Sequence, residues 1–175
     1  MDVLILHGWQ GNVDHHWQSW LARRLGADYP QLPDPDHPRL DAWLTAIEDR
    51  EPDVVVCHSL GCLLWLHRLA RGGDQARALL VAPPSEAFAE PELTSFFPVP
   101  PVGLAAGSRL VCSDDDPFCP EGAAARYGLV LGVPVDVLPG QGHLNATAGY
   151  GPWPEVEAFC RGQDSAITSS RIAPG

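Results

Sequence analysis

The chain contains no lysine: all 11 of its basic residues are arginines, and they are scattered rather than clustered. Against 22 acidic residues they leave a net charge of −11, which repels the phosphate backbone of nucleic acid and the anionic face of a membrane, so neither is an expected partner. No apolar stretch approaches the 18 or so residues of a membrane-spanning helix, and no basic segment leads an apolar run at the N-terminus in the secretory manner. The expected compartment is the cytoplasm. The five cysteines, Cys57, Cys62, Cys112, Cys119 and Cys160, are odd in number and lack C-x-x-C spacing, which disfavours a disulfide framework and a thiolate metal site. Internal repeats are absent too.

What is present is a globular balance, 45% hydrophobic against 19% charged, in a chain of 175 residues. Domains usually run to roughly 100 to 200 residues, so one domain is expected over 1–161. About 70% of the unfolded surface can be buried at this size, enough for a core that needs no staples. Residues 162–175 lack apolar periodicity and read as a flexible C-terminal tail.

Short apolar, β-branched runs alternate with segments of helical period, the pattern of a mostly parallel sheet with helices on both faces. Six strands are expected, at 3–6, 29–32, 53–57, 78–81, 109–112 and 134–138, of which 29–32 is the weakest and 53–57 (DVVVC) the clearest. Helices are expected at 16–25, 40–50, 61–70, 121–131 and 155–160. Residues 83–107 are too rich in proline for regular structure, and a loop that long in a compact domain is usually functional. It is too short for a separate cap domain.

Between the best strand and the helix after it lies Cys57-His58-Ser59-Leu60-Gly61. This is a variant of the G-x-S-x-G nucleophile elbow, with cysteine at the first small position. Such a turn exposes the serine hydroxyl at the carboxyl end of a sheet and aims the next helix's amides at developing negative charge. A serine nucleophile needs a base, and the base an orienting carboxylate. In the α/β-hydrolase order Ser, Asp, His, the acid comes from Asp114, Asp115 or Asp116, beyond the fifth strand, and the base is His143, beyond the sixth. Spacing alone leaves the three acids open. An oxyanion hole needs two backbone N–H groups: that of Leu60, after the serine, and one from the loop His7-Gly8-Trp9-Gln10-Gly11, where the Trp9 amide is the candidate.

Blander roles exist for several of these residues. The three acids could be a solvated turn, and His143 a structural histidine. His7, Asp14, His15 and His16 invite a metal reading, but no second ligand cluster supports it, and neither a metal nor a cofactor is expected. Trp17, Trp20, Trp43 and Trp65 sit at helical spacing and read as core. Cys57, at the end of a buried strand, suits an inert thiol better than a nucleophile. Phe96 and Phe97, in the proline-rich loop, are candidates for a substrate-pocket wall over Ser59.

These residues together resemble the small serine hydrolases typified by retinoblastoma-binding protein 9, an α/β-hydrolase family. The resemblance rests on His7-Gly8-Trp9, His16-Trp17-Gln18-Ser19-Trp20-Leu21, the elbow, 113–118, and Gly142-His143-Leu144-Asn145-Ala146 running on to Gly149-Tyr150-Gly151-Pro152-Trp153-Pro154. It implies Asp116, the aspartate before proline, as the acid, and a six-stranded sheet lacking the N-terminal hairpin of larger hydrolases. The expected activity is hydrolysis of small acyl esters by Ser59, His143 and Asp116. A non-enzymatic interaction module on the same fold, and an amidase or peptidase using the same three residues, are the alternatives.

Overall fold

Val54, Val55 and Val56 form an uninterrupted β-branched run, which favours an extended strand buried on both faces. They lie in β2 (Val54–His58), whose five residues are all buried. In the computed structural model, which describes residues 1–73, 75–88, 90–163 and 166–168, β2 is flanked by β1 (Val3–Leu6) and β3 (Arg77–Val81), followed by β4 (Arg109–Ser113) and β5 (Val135–Leu138). All four pairings are parallel, in the order β1-β2-β3-β4-β5. The helices are α1 (Trp17–Leu25), α2 (Leu40–Ile47), α3 (Leu60–Ala70), α4 (Ala123–Leu131) and α5 (Pro154–Cys160). The proline-rich loop carries two short 3-10 helices, Glu86–Phe88 and Pro91–Phe96.

Strand side chains alternate between the faces. Leu4, Leu6, Val55 and Cys57 join a core with α2, α3 and α4, while Val3, Ile5, Val54 and Val56 join one with α1 and α5. The sheet therefore has helices on both faces, as expected, but five strands among the described residues rather than six. The segment expected as a strand at 29–32 is reduced to a single parallel bridge, Asp28 with Leu4. Proline has no N–H to give a ladder, and Pro30 and Pro33 interrupt this segment just beyond the bridge. That bridge lies on the side of β1 away from β2, so the chain reverses its direction of growth at β1. The crevice at such a reversal, at the strands' carboxyl ends, is where parallel α/β sheets hold ligands.

Gly61 brings α3 onto this crevice. A Cβ there would lie 2.5 Å from the Leu6 carbonyl oxygen and 2.7 Å from that of His7, so only glycine lets the start of α3 press against the end of β1. Part of the expected tail is packed: Ile167 is buried, its amide donates to Asp136 Oδ2 at 3.0 Å, and Trp153 Nε1 donates to the Thr168 carbonyl at 3.0 Å. The remainder of that expectation, at 164, 165 and 169–175, lies outside the described residues. No helix among the described residues is long and apolar enough to cross a membrane.

Candidate active site

Ser59 has φ 53° and ψ −123°, a left-handed backbone conformation that costs a non-glycine residue roughly 1–3 kcal/mol. The surroundings enforce it: the Ser59 amide donates to the Val81 carbonyl at 2.9 Å, and the Ser59 carbonyl accepts from the Cys62 amide at 2.9 Å. The turn brings Ser59 Oγ to 2.8 Å from His143 Nε2. On the other side of the ring, His143 Nδ1 lies 2.9 Å and 3.0 Å from Asp116 Oδ2 and Oδ1. A carboxylate only accepts, so Nδ1 carries the proton and Nε2 is free to accept one from Ser59. Ser59, His143 and Asp116 are 6%, 7% and 3% exposed. All three residues expected from the sequence are thus brought into one buried relay.

The other two acids hold the loop that carries His143. Asp115 Oδ1 accepts from the Gly142 amide at 2.7 Å, and Asp114 Oδ1 from the Gly140 amide at 2.8 Å. Ser113 Oγ accepts from the Gln141 amide at 2.9 Å. Asp116 itself is steadied by the Phe118 amide, which donates to Oδ1 at 2.9 Å, and the Phe118 ring stacks on His143 at 4.1 Å.

Two further histidines position these groups; sequence reasoning gave His58 no role and weighed His7 only as a metal ligand. His58 Nε2 donates to the His143 backbone carbonyl at 2.9 Å, so the strand that leads into Ser59 also tethers His143. Burial, reinforced by the imidazoles of His143 and His16, holds the His58 pKa far below the ordinary histidine range. His7 Nε2 accepts from the Leu32 amide at 2.9 Å, which leaves the proton on Nδ1 to donate to the Gly8 carbonyl at 2.7 Å. His7, whose pKa is likewise lowered by burial, fixes the Gly8–Trp9 peptide, whose N–H points opposite to that carbonyl. The position of His58 directly before the nucleophile was the one available signal; for His7 it was adjacency to Gly8.

Gly8 abuts Ser59: a Cβ at this position would lie 2.8 Å from Ser59 Cβ and 3.3 Å from Ser59 Oγ. Neither the Trp9 nor the Leu60 amide is used in a hydrogen bond among the described residues. The Trp9 indole donates to the Asp36 carbonyl at 2.9 Å.

A cleft of about 230 Å³ opens over Ser59, with Phe118, His16 and Trp9 in its wall. Phe96 and Phe97 are not part of it, contrary to the expectation from the sequence. Phe96 is fully buried, meets the edge of Trp43 at 5.3 Å, and Phe97 packs on the same core. Apolar rings of that loop gain more by joining the closed core under α2 and α3 than by lining an open cleft. Cys57 is buried and its thiol is pushed well above its usual pKa, which leaves it unreactive. Among the described residues no three His, Cys, Asp or Glu converge as metal ligands.

The model of the serine hydrolase family matches residues 3–161. The Bacillus subtilis protein YdeN, assigned as a hydrolase, is 39% identical over 70 residues, which cover 34% of this chain and 37% of that relative, little more than a third of its length. The solved structure of B. subtilis YdeN resembles this one with a TM-score of 0.74 at 23% identity, over 93% of this chain and 97% of that one. A YdeN-like hydrolase of Pectobacterium atrosepticum gives 0.77 at 22% identity, over 94% and 92%. The fold is the α/β-hydrolase fold.

Proposed function

The chain belongs to the serine hydrolase family, and from that premise we propose that it is a carboxylic ester hydrolase acting on small acyl esters through Ser59, His143 and Asp116. The observation that carries the reading is the continuous relay from Ser59 Oγ through His143 to Asp116, at 2.8 Å and 2.9 Å, on the floor of a cleft. His143 takes the hydroxyl proton as Ser59 attacks the acyl carbon. The carbonyl oxygen becomes an oxyanion held by the Trp9 and Leu60 amides, each such donor being worth about 10²–10³ in rate. Leu60 is the first residue of α3, so the partial positive charge of that helix end acts at the same oxygen.

Collapse expels the alcohol, which receives the proton from His143, and leaves an acyl-serine. Water, deprotonated by His143, attacks this ester, and a second collapse returns the acid and free Ser59. Asp116 keeps the imidazole in the required tautomer and stabilises the imidazolium. The small volume of the cleft favours short acyl groups, and the resemblance to hydrolases typified by retinoblastoma-binding protein 9 supports the same reading.

The test is labelling by a fluorophosphonate together with hydrolysis of p-nitrophenyl acetate. Ser59→Ala is expected to abolish both. Labelling that survives the substitution refutes the assignment of Ser59, and an unreactive wild-type Ser59 with no ester turnover favours a non-enzymatic interaction module. Matched ester and amide substrates separate an esterase from an amidase.

A further inference from the structure

His16 stands at the start of α1 with its ring in the wall of the cleft over Ser59. Its Nδ1 accepts from the Gln18 amide at 3.2 Å, capping the helix. An imidazole that accepts at Nδ1 carries its proton on Nε2. Among the described residues nothing accepts from that Nε2–H. The ring is only 7% exposed and lies 4.9 Å, centre to centre, from the ring of His58, the neighbour of the nucleophile. Burial lowers the pKa of His16 to about 3, so the group is a neutral donor at working pH.

The rest of the cleft sets the kind of oxygen it would meet. Gln10, His15, Asn145 and Thr147 supply polar groups, and no arginine, aspartate or glutamate is among the lining residues. A carboxylate or phosphate on the substrate would find no arginine there to pair with, and the net charge of −11 repels it from a distance. A plain alkyl chain would leave a nearly buried donor unsatisfied, which carries a penalty.

We propose that His16 is a specificity-determining residue whose Nε2–H donates to a neutral oxygen of the substrate beside the scissile ester. The preferred substrates are then short esters bearing an ether, hydroxyl or carbonyl oxygen, as in glycol and polyol esters, rather than plain alkyl esters. This rests on the esterase reading of Ser59.

The test uses two isosteric pairs that exchange one oxygen for a methylene: 2-methoxyethyl acetate against butyl acetate, and ethyl methoxyacetate against ethyl butyrate. Intrinsic reactivity cancels when the kcat/KM ratio within a pair is compared between wild type and variant. His16→Asn keeps a side-chain oxygen able to cap α1 but does not reach the Nε2 position; His16→Gln reaches it. In at least one pair, His16→Asn is expected to lower the preference for the oxygenated ester about 5- to 30-fold, within the penalty for a buried donor that the alkyl ester leaves unsatisfied, while His16→Gln stays within about threefold of wild type. Unchanged ratios in His16→Asn overturn the proposal, as does an equal loss in both variants. Fluorophosphonate labelling of wild-type Ser59 separates the two levels. Labelling with unchanged ratios removes only the role of His16, whereas failure to label removes the esterase reading with it.

Discussion

Gly8→Ala probes the loop proposed to hold the oxyanion while leaving Ser59, His143 and Asp116 in the sequence. The backbone at Gly8 is not in the left-handed region, so glycine is needed there for space alone. The added methyl would lie 2.8 Å from Ser59 Cβ and 3.3 Å from both Ser59 Oγ and the His58 carbonyl oxygen. Carbon atoms in contact settle about 3.5–4.0 Å apart, so the loop must withdraw by about 1 Å. A donor has to lie about 2.7–3.1 Å from the oxyanion to be effective, and a withdrawal of that size carries the Trp9 amide out of range. The expected consequence is a loss of about 10²–10³ in kcat, or about 2.7–4 kcal/mol, with a much smaller change in KM. Overpacking costs about 1–3 kcal/mol of stability, partly offset by the stiffer unfolded chain, so the variant should still fold. Steady-state kinetics on p-nitrophenyl acetate and a thermal melt, with Gly128→Ala as the control, distinguish catalysis from stability. A methyl at Gly128 meets Val135 at 3.4 Å, an ordinary contact. A folded Gly8→Ala enzyme with kcat within threefold of wild type would refute the reasoning.

The three adjacent acids should separate sharply on substitution. Asp116→Asn is expected to cost about 10⁴ in kcat through the wrong imidazole tautomer, whereas Asp115→Asn, whose side-chain carbonyl can still accept from the Gly142 amide, should stay within about tenfold of wild type; comparable losses would contradict the division of roles. Acid should unfold the protein early. Below about pH 6.5 the unfolded chain takes up protons at His7, His16 and His58, which the folded protein holds neutral by burial. Stability is therefore intact above that pH and falls as the solution is acidified through it, by about 1.4 kcal/mol per pH unit for each histidine still neutral in the fold. Urea unfolding at pH 5.5 should show about 3–4 kcal/mol less stability than at pH 7; equal midpoints and slopes would rule this out.

Features set by neighbours in sequence were legible from sequence. Uninterrupted β-branched runs mark strands buried on both faces, and the elbow at Ser59 is a local backbone device, so small residues at its flanks and a helix behind it suffice to recognise it. His143 and the acidic cluster followed from chain order and strand ends. Which acid meets the imidazole did not: Asp114, Asp115 and Asp116 share composition and reach, and the resemblance, not the spacing, singled out Asp116. The failed strand at 29–32 is instructive too. Tyr29 and Leu32 favour extension, but Pro30 and Pro33 withhold the amides a ladder requires, and the Leu32 amide is taken by His7.

The sequence by itself determined the layered α/β architecture and the turn at Ser59, and it marked Ser59, the acidic cluster and His143 as candidates in that order, because periodicity and turn chemistry act over a few residues. Only the tertiary structure decided that Phe96 belongs to the core and Phe118 to the cleft, that Asp114 and Asp115 hold the loop while Asp116 holds the ring, and that His16 and His58 lie beside Ser59 while His7 holds Gly8. Those assignments depend on which groups meet across the sheet, and on the burial that keeps the three imidazoles neutral. Both arise when β1, β2 and the loop of His143 end at the same crevice.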